Sequence, residues 1–436
     1  LILFSVYYFD NKIFHPSSLT LIPIFGVLLI IWYSNKDELV HRLLSTKFLV
    51  YLGLISYSLY LWHYPVFAFA RKTEFIMGDP SKKILIALII FILSLISYYC
   101  VEKPSRNQNY KFRKIFLPIL VSSIILIFLN INVIKNNGYE NRVPEILKTD
   151  FNEPPWRMLK TENNKDCHDW IKGCVFYSYE NKRIVNIIGD SQMGSLSYGL
   201  KNIAVDRGYT FKSYTVGACG YYPGFDLIDI KTQKKDLNCN NEYFSQLKTT
   251  LNKQRNSILI FGANFQTHID NLSYIEDENN NERKLEKWNK NYVKKGKFLN
   301  VGDSFTESII KLSKKNKIIL IYPIPEIGFN LREKINLLSK NDSNNLDNTS
   351  SYITTSYLEY KNRTKSSFEF LDKIKGENVY RIYPHNLFCG TLFKDKCISH
   401  DDKNLFYHDS IHLSLSGSKL INELIVNKIE ELNKIF

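Results

Sequence analysis

The long apolar runs of this chain are confined to one end, and that asymmetry constrains its fold more than any average does. Nearly all of them lie before residue 135, whereas the remainder is rich in Lys, Asn and Asp and reads as a water-soluble globule. A mean hydropathy slightly below zero hides this division. A membrane-crossing helix needs roughly 20 predominantly apolar residues. The pattern predicts such helices over about 17–33, 47–70, 84–101 and 115–134, with 1–9 as the tail of an earlier span. Leu1 stands inside an apolar run with no Met before it, so 1–134 is expected to be an N-terminally incomplete membrane segment. The loop at 102–114 carries Lys103, Arg106, Lys111, Arg113 and Lys114 and is assigned to the cytoplasmic side, although Arg71, Lys72, Lys82 and Lys83 blur the asymmetry. The last span then exits near 134 on the far side, which places everything after it outside the cytoplasm.

The net charge is +14. The basic residues are scattered or flank the apolar runs, and there is no zinc-finger spacing, basic helix or RNA-binding motif, so nucleic acid is not an expected partner. Of seven cysteines, Cys100 sits in an apolar segment and six follow residue 134: Cys167, Cys174, Cys219, Cys239, Cys389 and Cys397. None has metal-ligand spacing, so no metal is expected. An even set behind membrane spans suggests disulfides in an oxidising compartment, the alternative being free thiols in the cytosol. Proximity favours Cys167–Cys174, Cys219–Cys239 and Cys389–Cys397.

Two segments of the apolar half, Leu52-Gly53-Leu54-Ile55-Ser56-Tyr57-Ser58-Leu59-Tyr60-Leu61-Trp62-His63-Tyr64-Pro65 and Ser97-Tyr98-Tyr99-Cys100-Val101-Glu102-Lys103-Pro104, resemble late spans of the acyltransferase-3 family. The resemblance covers about 1–134, only the back part of that domain. The catalytic His and basic residue proposed for the family belong to its first span, which is not expected within this chain, and His63 is read as a packing or interfacial residue.

Residues 135–180 read as a connecting region with Pro154-Pro155, Trp156 and the first two cysteines. Beyond it, strand and helix signals alternate: a short β-branched run predicts a strand at Arg183–Ile188, with further strands at Tyr209–Tyr214, Ser257–Phe261, Lys317–Tyr322 and Val379–Tyr383 and helices near 192–205, 303–315 and 415–431. Such alternation predicts an α/β domain over 181–436, an open parallel sheet with helices on both faces. Its site is expected beyond the carboxyl ends of the strands. Residues 340–356, rich in Asn, Ser, Asp and Thr, read as a mobile surface loop.

The first strand runs into Gly189-Asp190-Ser191-Gln192. Gly189 permits a tight turn, and Ser191 falls where the free N–H groups of a helix start favour developing negative charge. Gly302-Asp303-Ser304 repeats the tripeptide, but Ser304-Phe305-Thr306-Glu307 reads as a capping box and no strong strand precedes it. Ser191 gains weight from Asp409-Ser410-Ile411-His412 near the C-terminus. That spacing can set a carboxylate on one imidazole nitrogen and leave the other as base for a serine hydroxyl, which is a poor nucleophile unaided. His408 is the rival base. After the third strand Asn264 can donate to an oxyanion. After the second, Gly217 or its neighbour Ala218 can offer a backbone N–H.

These four blocks, over about 181–436, resemble the SGNH hydrolase family, whose sheet is flavodoxin-like. Carried over, Ser191 is the nucleophile, Asp409 and His412 complete the triad, and the Ser191 N–H, Gly217 and Asn264 form the oxyanion hole. An SGNH domain behind acyltransferase-3 spans is similar to bacterial O-acetyltransferases of surface polysaccharides such as the lipopolysaccharide O-antigen. The resemblance implies a multi-pass protein of the inner membrane in contact with lipid, with its SGNH domain in the periplasm. It also implies acetyl-CoA as acyl donor on the cytoplasmic side, no bound cofactor, and a surface polysaccharide as acceptor. An anchored carbohydrate esterase or deacetylase, and a non-catalytic polysaccharide-binding module, are the alternatives.

Overall fold

The computed structural model describes residues 1–9, 17–72, 80–106, 112–139, 144, 146–148, 157–180, 182–277, 280–341 and 352–434. It falls into two compact units, Leu1–Ile134 and Lys135–Phe436.

The first unit is helical, with its longest elements at Leu21–Tyr33, Lys47–Lys72, Pro80–Ser97 and Phe112–Lys135. Ala70, Ile86 and Ile90 form a small buried cluster with Leu59, Trp62, Val66 and Phe67 around it. The buried Ser58 donates to Glu102 at 2.8 Å, so the carboxylate does not sit unpartnered against apolar helices. His63 bonds the carbonyl of Tyr60 in its own helix through Nδ1 at 2.7 Å. Among the described residues, two helices are long and apolar enough to cross a membrane, Ser81–Ser105 and Phe116–Lys135. The expectation of four crossings is met only there. Leu21–Tyr33 has 13 residues, too few. Lys47–Lys72 has 26 residues, but its tyrosines, His63 and Pro65 dilute the apolar character.

The second unit is built on a six-stranded sheet. We number its strands β1 (Cys174–Phe176), β2 (Ile184–Gly189), β3 (Thr210–Thr215), β4 (Ile258–Gly262), β5 (Lys317–Ile321) and β6 (Val379–Ile382). Their spatial order is β1-β3-β2-β4-β5-β6. All neighbours are parallel except β1, which runs antiparallel along β3 with Cys174 opposite Ser213. The parallel sheet follows from the sequence pattern most clearly in β4 and β5, which are apolar on both faces. Ile258, Ile260, Ile319 and Ile321 point into one core, and Leu259, Phe261, Ile318 and Leu320 into the other. The helices Ser191–Asp206 and Leu415–Lys434 cover the first face. They are joined by Ser418 Oγ donating to the Ser195 carbonyl at 3.0 Å and Asn422 Nδ2 to that of Leu196 at 3.1 Å. Asn241–Lys253 and Val301–Ser313 cover the second.

The five predicted strands and three predicted helices lie within a few residues of the observed ones. Other elements differ. The segment read as a connection contributes β1, an edge strand too short to announce itself. The helix Val301–Ser313 is capped by Asn300, whose side chain accepts the Asp303 N–H at 2.9 Å, so Ser304 lies inside the helix rather than opening it. Of the predicted loop 340–356, Thr354–Ser356 pairs antiparallel with Lys396–Ile398, while 342–351 lie outside the described residues. The cysteines pair as Cys167–Cys174, Cys219–Cys239 and Cys389–Cys397.

Candidate active site

Strand β2 has β3 on one side and β4 on the other, so the chain reverses its winding direction there, and the crevice opens at the three carboxyl ends. Gly189 stands level with Thr215 and Gly262 in the two pairings. The next residue, Asp190, caps the helix Ser191–Asp206. Its Oδ1 accepts the Gln192 N–H at 2.9 Å, and its Oδ2 accepts the Asn264 N–H at 2.6 Å. One carboxylate thereby clamps the end of β2 to the end of β4. Burial pushes this carboxyl up to about 6, against the lowering effect of those N–H donors. His268 lies beside it, its Nε2 3.7 Å from Asp190 Oδ2. Burial brings that imidazole down to about 3, so it is neutral at pH 7, and its Nδ1 is 3.1 Å from the Tyr222 hydroxyl.

Ser191 is the first residue of the helix, and its Oγ lies 2.8 Å from His412 Nε2. His412 Nδ1 lies 2.7 Å from Asp409 Oδ2, while Asp409 Oδ1 accepts the N–H groups of Ile411 and His412, each at 2.8 Å. A carboxylate only accepts, so the proton rests on Nδ1 and Nε2 faces the serine as acceptor. The imidazole set against Ser191 is that of His412, not the rival His408. His408 spends its backbone N–H on the His412 carbonyl and so closes the turn. Ser304 is fully buried and donates to the Pro223 carbonyl.

Burial alone raises the Asp409 carboxyl, but the hydrogen bond and charge of His412 and the two N–H donors outweigh it and hold it at about 2, below the ordinary 3.8. A depressed carboxyl adds stability that is fully present above the unfolded value and is lost as pH falls through the folded one. Between pH 4 and 2, wild type should therefore lose about 2 kcal/mol that Asp409→Asn does not. Denaturant midpoints measured across that window check this, and parallel slopes for the two proteins would contradict it.

The oxyanion candidates fare unequally. Asn264 caps the short helix Phe265–Asp270, with Oδ1 accepting the Thr267 N–H at 3.3 Å and Nδ2 donating to Glu326 Oε1 at 2.7 Å. Gly217 does not have the free donor expected of it. Its N–H is taken by Asp169 Oδ1 at 2.7 Å, a charge-assisted bond that an incoming oxygen would have to displace. The neighbouring Ala218 is held at φ +57°, an uncommon conformation for a residue with a side chain.

Asp169 and its neighbour His168 were not legible as site residues. They reach the crevice because the Cys167–Cys174 bridge closes their loop and the Asp169 N–H bonds the Thr215 carbonyl at 3.0 Å. His168 Nδ1 lies 3.1 Å from Thr215 Oγ1. It packs on Gly194, where a Cβ would come within 2.9 Å of it, and burial lowers its pKa. Glu326 was missed as well. It follows β5 in Pro323-Ile324-Pro325-Glu326, and its place beyond a strand's carboxyl end is the signal that could have found it.

A parallel α/β sheet with this crevice, serine-led helix and D-x-x-H turn is of the SGNH type. Residues 160–427, more than half of the chain, match the family described as SGNH domain (fused to AT3 domains), and the chain belongs to that family. The match begins at 160 and includes no residue of 1–134. The chain is similar to the peptidoglycan O-acetyltransferase OatA of Listeria monocytogenes, 28% identical over 25% of this chain and 18% of that one. The O-acetyltransferase OatA of Staphylococcus aureus is 34% identical over 18% of this chain and 13% of that one. The matched region thus spans less than a fifth of these relatives' length. Among solved structures, the periplasmic domain of a Salmonella Paratyphi A lipopolysaccharide acetyltransferase covers 60% of this chain and 90% of its own, with a TM-score of 0.39 and 16% identity.

Proposed function

We propose that this chain is a membrane-bound O-acyltransferase that carries an acetyl group on Ser191 and delivers it to hydroxyls of a cell-surface polysaccharide. The observation that carries this reading is the hydrogen-bonded line Ser191–His412–Asp409, with links of 2.8 and 2.7 Å at the mouth of the sheet. The names of the sequence relatives, peptidoglycan O-acetyltransferase and O-acetyltransferase, support the substrate class.

In the first half-reaction Ser191 Oγ attacks the acetyl carbonyl as His412 Nε2 takes its proton, and the imidazolium is stabilised by Asp409. The oxyanion is met by the Ser191 N–H at the helix start and by the Asn264 amide. With the Gly217 N–H engaged by Asp169, the further backbone donor falls to Ala218. The tetrahedral intermediate collapses, and His412 returns the proton to the leaving group. A sugar hydroxyl then attacks the acyl-serine, His412 takes its proton, and Ser191 Oγ departs with that proton, leaving the enzyme as it began. The acetyl group originates from acetyl-CoA on the cytoplasmic side and is passed across the membrane by the membrane half. The group that leaves when Ser191 is acylated is therefore the carrier that presents the acetyl outside, not coenzyme A itself. Ser81–Ser105 and Phe116–Lys135 anchor the chain in the bacterial inner membrane, with the SGNH unit in the periplasm.

Water in place of the sugar makes the same machinery an esterase, and the acceptor decides between the two. The full chain in detergent, given a chromogenic acetyl ester, should show one acetyl group on Ser191 by peptide mass spectrometry. Adding peptidoglycan or lipopolysaccharide fragments should divert acetyl from free acetate to the glycan. Acetate release that no glycan diverts would replace the transferase reading with that of an esterase.

A further inference from the structure

We propose that Glu326, neutralised by Arg363, is a positioning residue that fixes the Asn264 amide for the oxyanion. This inference rests on the acyl-serine reading and adds to it. The Asn264 side chain is held at both ends. Its oxygen accepts the Thr267 N–H, and its NH2 group donates to Glu326 Oε1 at 2.7 Å. A carboxylate can only accept, so Glu326 forbids the flipped amide that would present an oxygen to the oxyanion. One N–H goes to Glu326 and the second remains for the reacting carbonyl.

A carboxylate so close to a developing oxyanion would repel it if its charge were uncompensated. Glu326 is compensated. Its side chain is 2% exposed, that of Arg363 is 12% exposed, and Arg363 Nη2 lies 2.6 Å from Glu326 Oε2. This is a charge contact rather than an aligned hydrogen bond. The guanidinium is also seated 4.4 Å from the centre of the Tyr274 ring.

The backbone around Glu326 is pinned to the same site. The Tyr360 hydroxyl donates to the Pro323 carbonyl at 2.8 Å and the Tyr407 hydroxyl to that of Pro325 at 2.9 Å. The N–H groups of Ile327 and Gly328 both reach the Ser410 carbonyl at 3.0 Å. The segment carrying Glu326 is therefore tied to the turn that carries Asp409 and His412, and the oxyanion and base sides of the crevice share one support.

The test is steady-state turnover of a chromogenic acetyl ester by the full chain in detergent. Asn264→Ala should lower kcat roughly 10²- to 10³-fold with little change in KM. Glu326→Ala should lower kcat roughly 10- to 100-fold in the wild-type background and not at all in the Asn264→Ala background. Arg363→Met should lower kcat by a similar factor, because it bares the carboxylate. Adding Glu326→Gln to Arg363→Met should restore kcat to within about tenfold of wild type, since the acceptor oxygen remains and the charge is gone. A merely structural ion pair would show neither the lost effect without Asn264 nor the recovery in the neutral pair. Wild-type kcat in Glu326→Ala, losses that multiply with Asn264→Ala, or no recovery in the neutral pair would each overturn the proposal. Turnover retained by Ser191→Ala would overturn the acyl-serine reading instead. Should Glu326→Ala fail to fold, the neutral pair decides.

Discussion

Ser191→Ala should lower ester turnover by roughly 10⁴-fold or more, because it removes the atom that forms the covalent intermediate. His412→Ala should lose about as much and not add to it, since nucleophile and base act as one unit. Ser304→Ala is the internal control. It alters the second Gly-Asp-Ser of the chain, but its hydroxyl is buried and spent on the Pro223 carbonyl. That variant should keep wild-type kcat and lose about 1 kcal/mol of stability for the missing hydrogen bond. The measurement is hydrolysis of a chromogenic acetyl ester by the three variants, with unfolding curves to show that each is folded. Undiminished turnover in folded Ser191→Ala would remove the basis of the proposed mechanism.

Gly189→Ala should have the largest effect on stability. Gly189 ends β2 at φ +154°, where a side chain is strained, and a Cβ there would stand 1.9 Å from the Gly262 carbonyl oxygen and 2.6 Å from Met193 Cγ. The first obstacle is backbone of the neighbouring strand, so relief requires β2 and β4 to part where Asp190 clamps them together. A loss of about 4 kcal/mol or more is expected, enough to prevent the second unit from accumulating folded. Gly262→Ala makes the informative contrast. Its Cβ would meet Met193 Sδ at 2.5 Å, the flexible end of a side chain that can turn away. It should cost clearly less, about 1–3 kcal/mol. Denaturant midpoints compare the two, and a Gly189→Ala protein as stable as wild type would show that the strands do not approach as described.

The chain's own pattern was sufficient for those features that depend on near neighbours. Apolar runs such as Ile258–Gly262 and Lys317–Ile321 marked the inner strands most clearly, since strands buried on both faces carry few polar positions. The glycine turn, the serine at a helix start and the Asp409-x-x-His412 spacing are likewise arrangements within a few residues. The cysteines that pair are separated by 7, 20 and 8 residues, near enough for proximity to favour them. The apolar half was less legible, because length and hydropathy judge a helix singly and, among the described residues, two helices meet both.

Tertiary structure alone decided what meets across the fold. Ser191 and His412 are 221 residues apart, and their 2.8 Å contact exists because the strand order sets the two ends of the domain beside one crevice. The same placement brings Asp169 onto the Gly217 N–H and so removes the expected backbone donor. It also sets Glu326 between Asn264 and Arg363. Periodicity and turn chemistry record what a residue needs from its own element, so they can be read along the chain. A hydrogen bond between elements depends on where topology and packing deliver each side chain, and no local pattern carries that information.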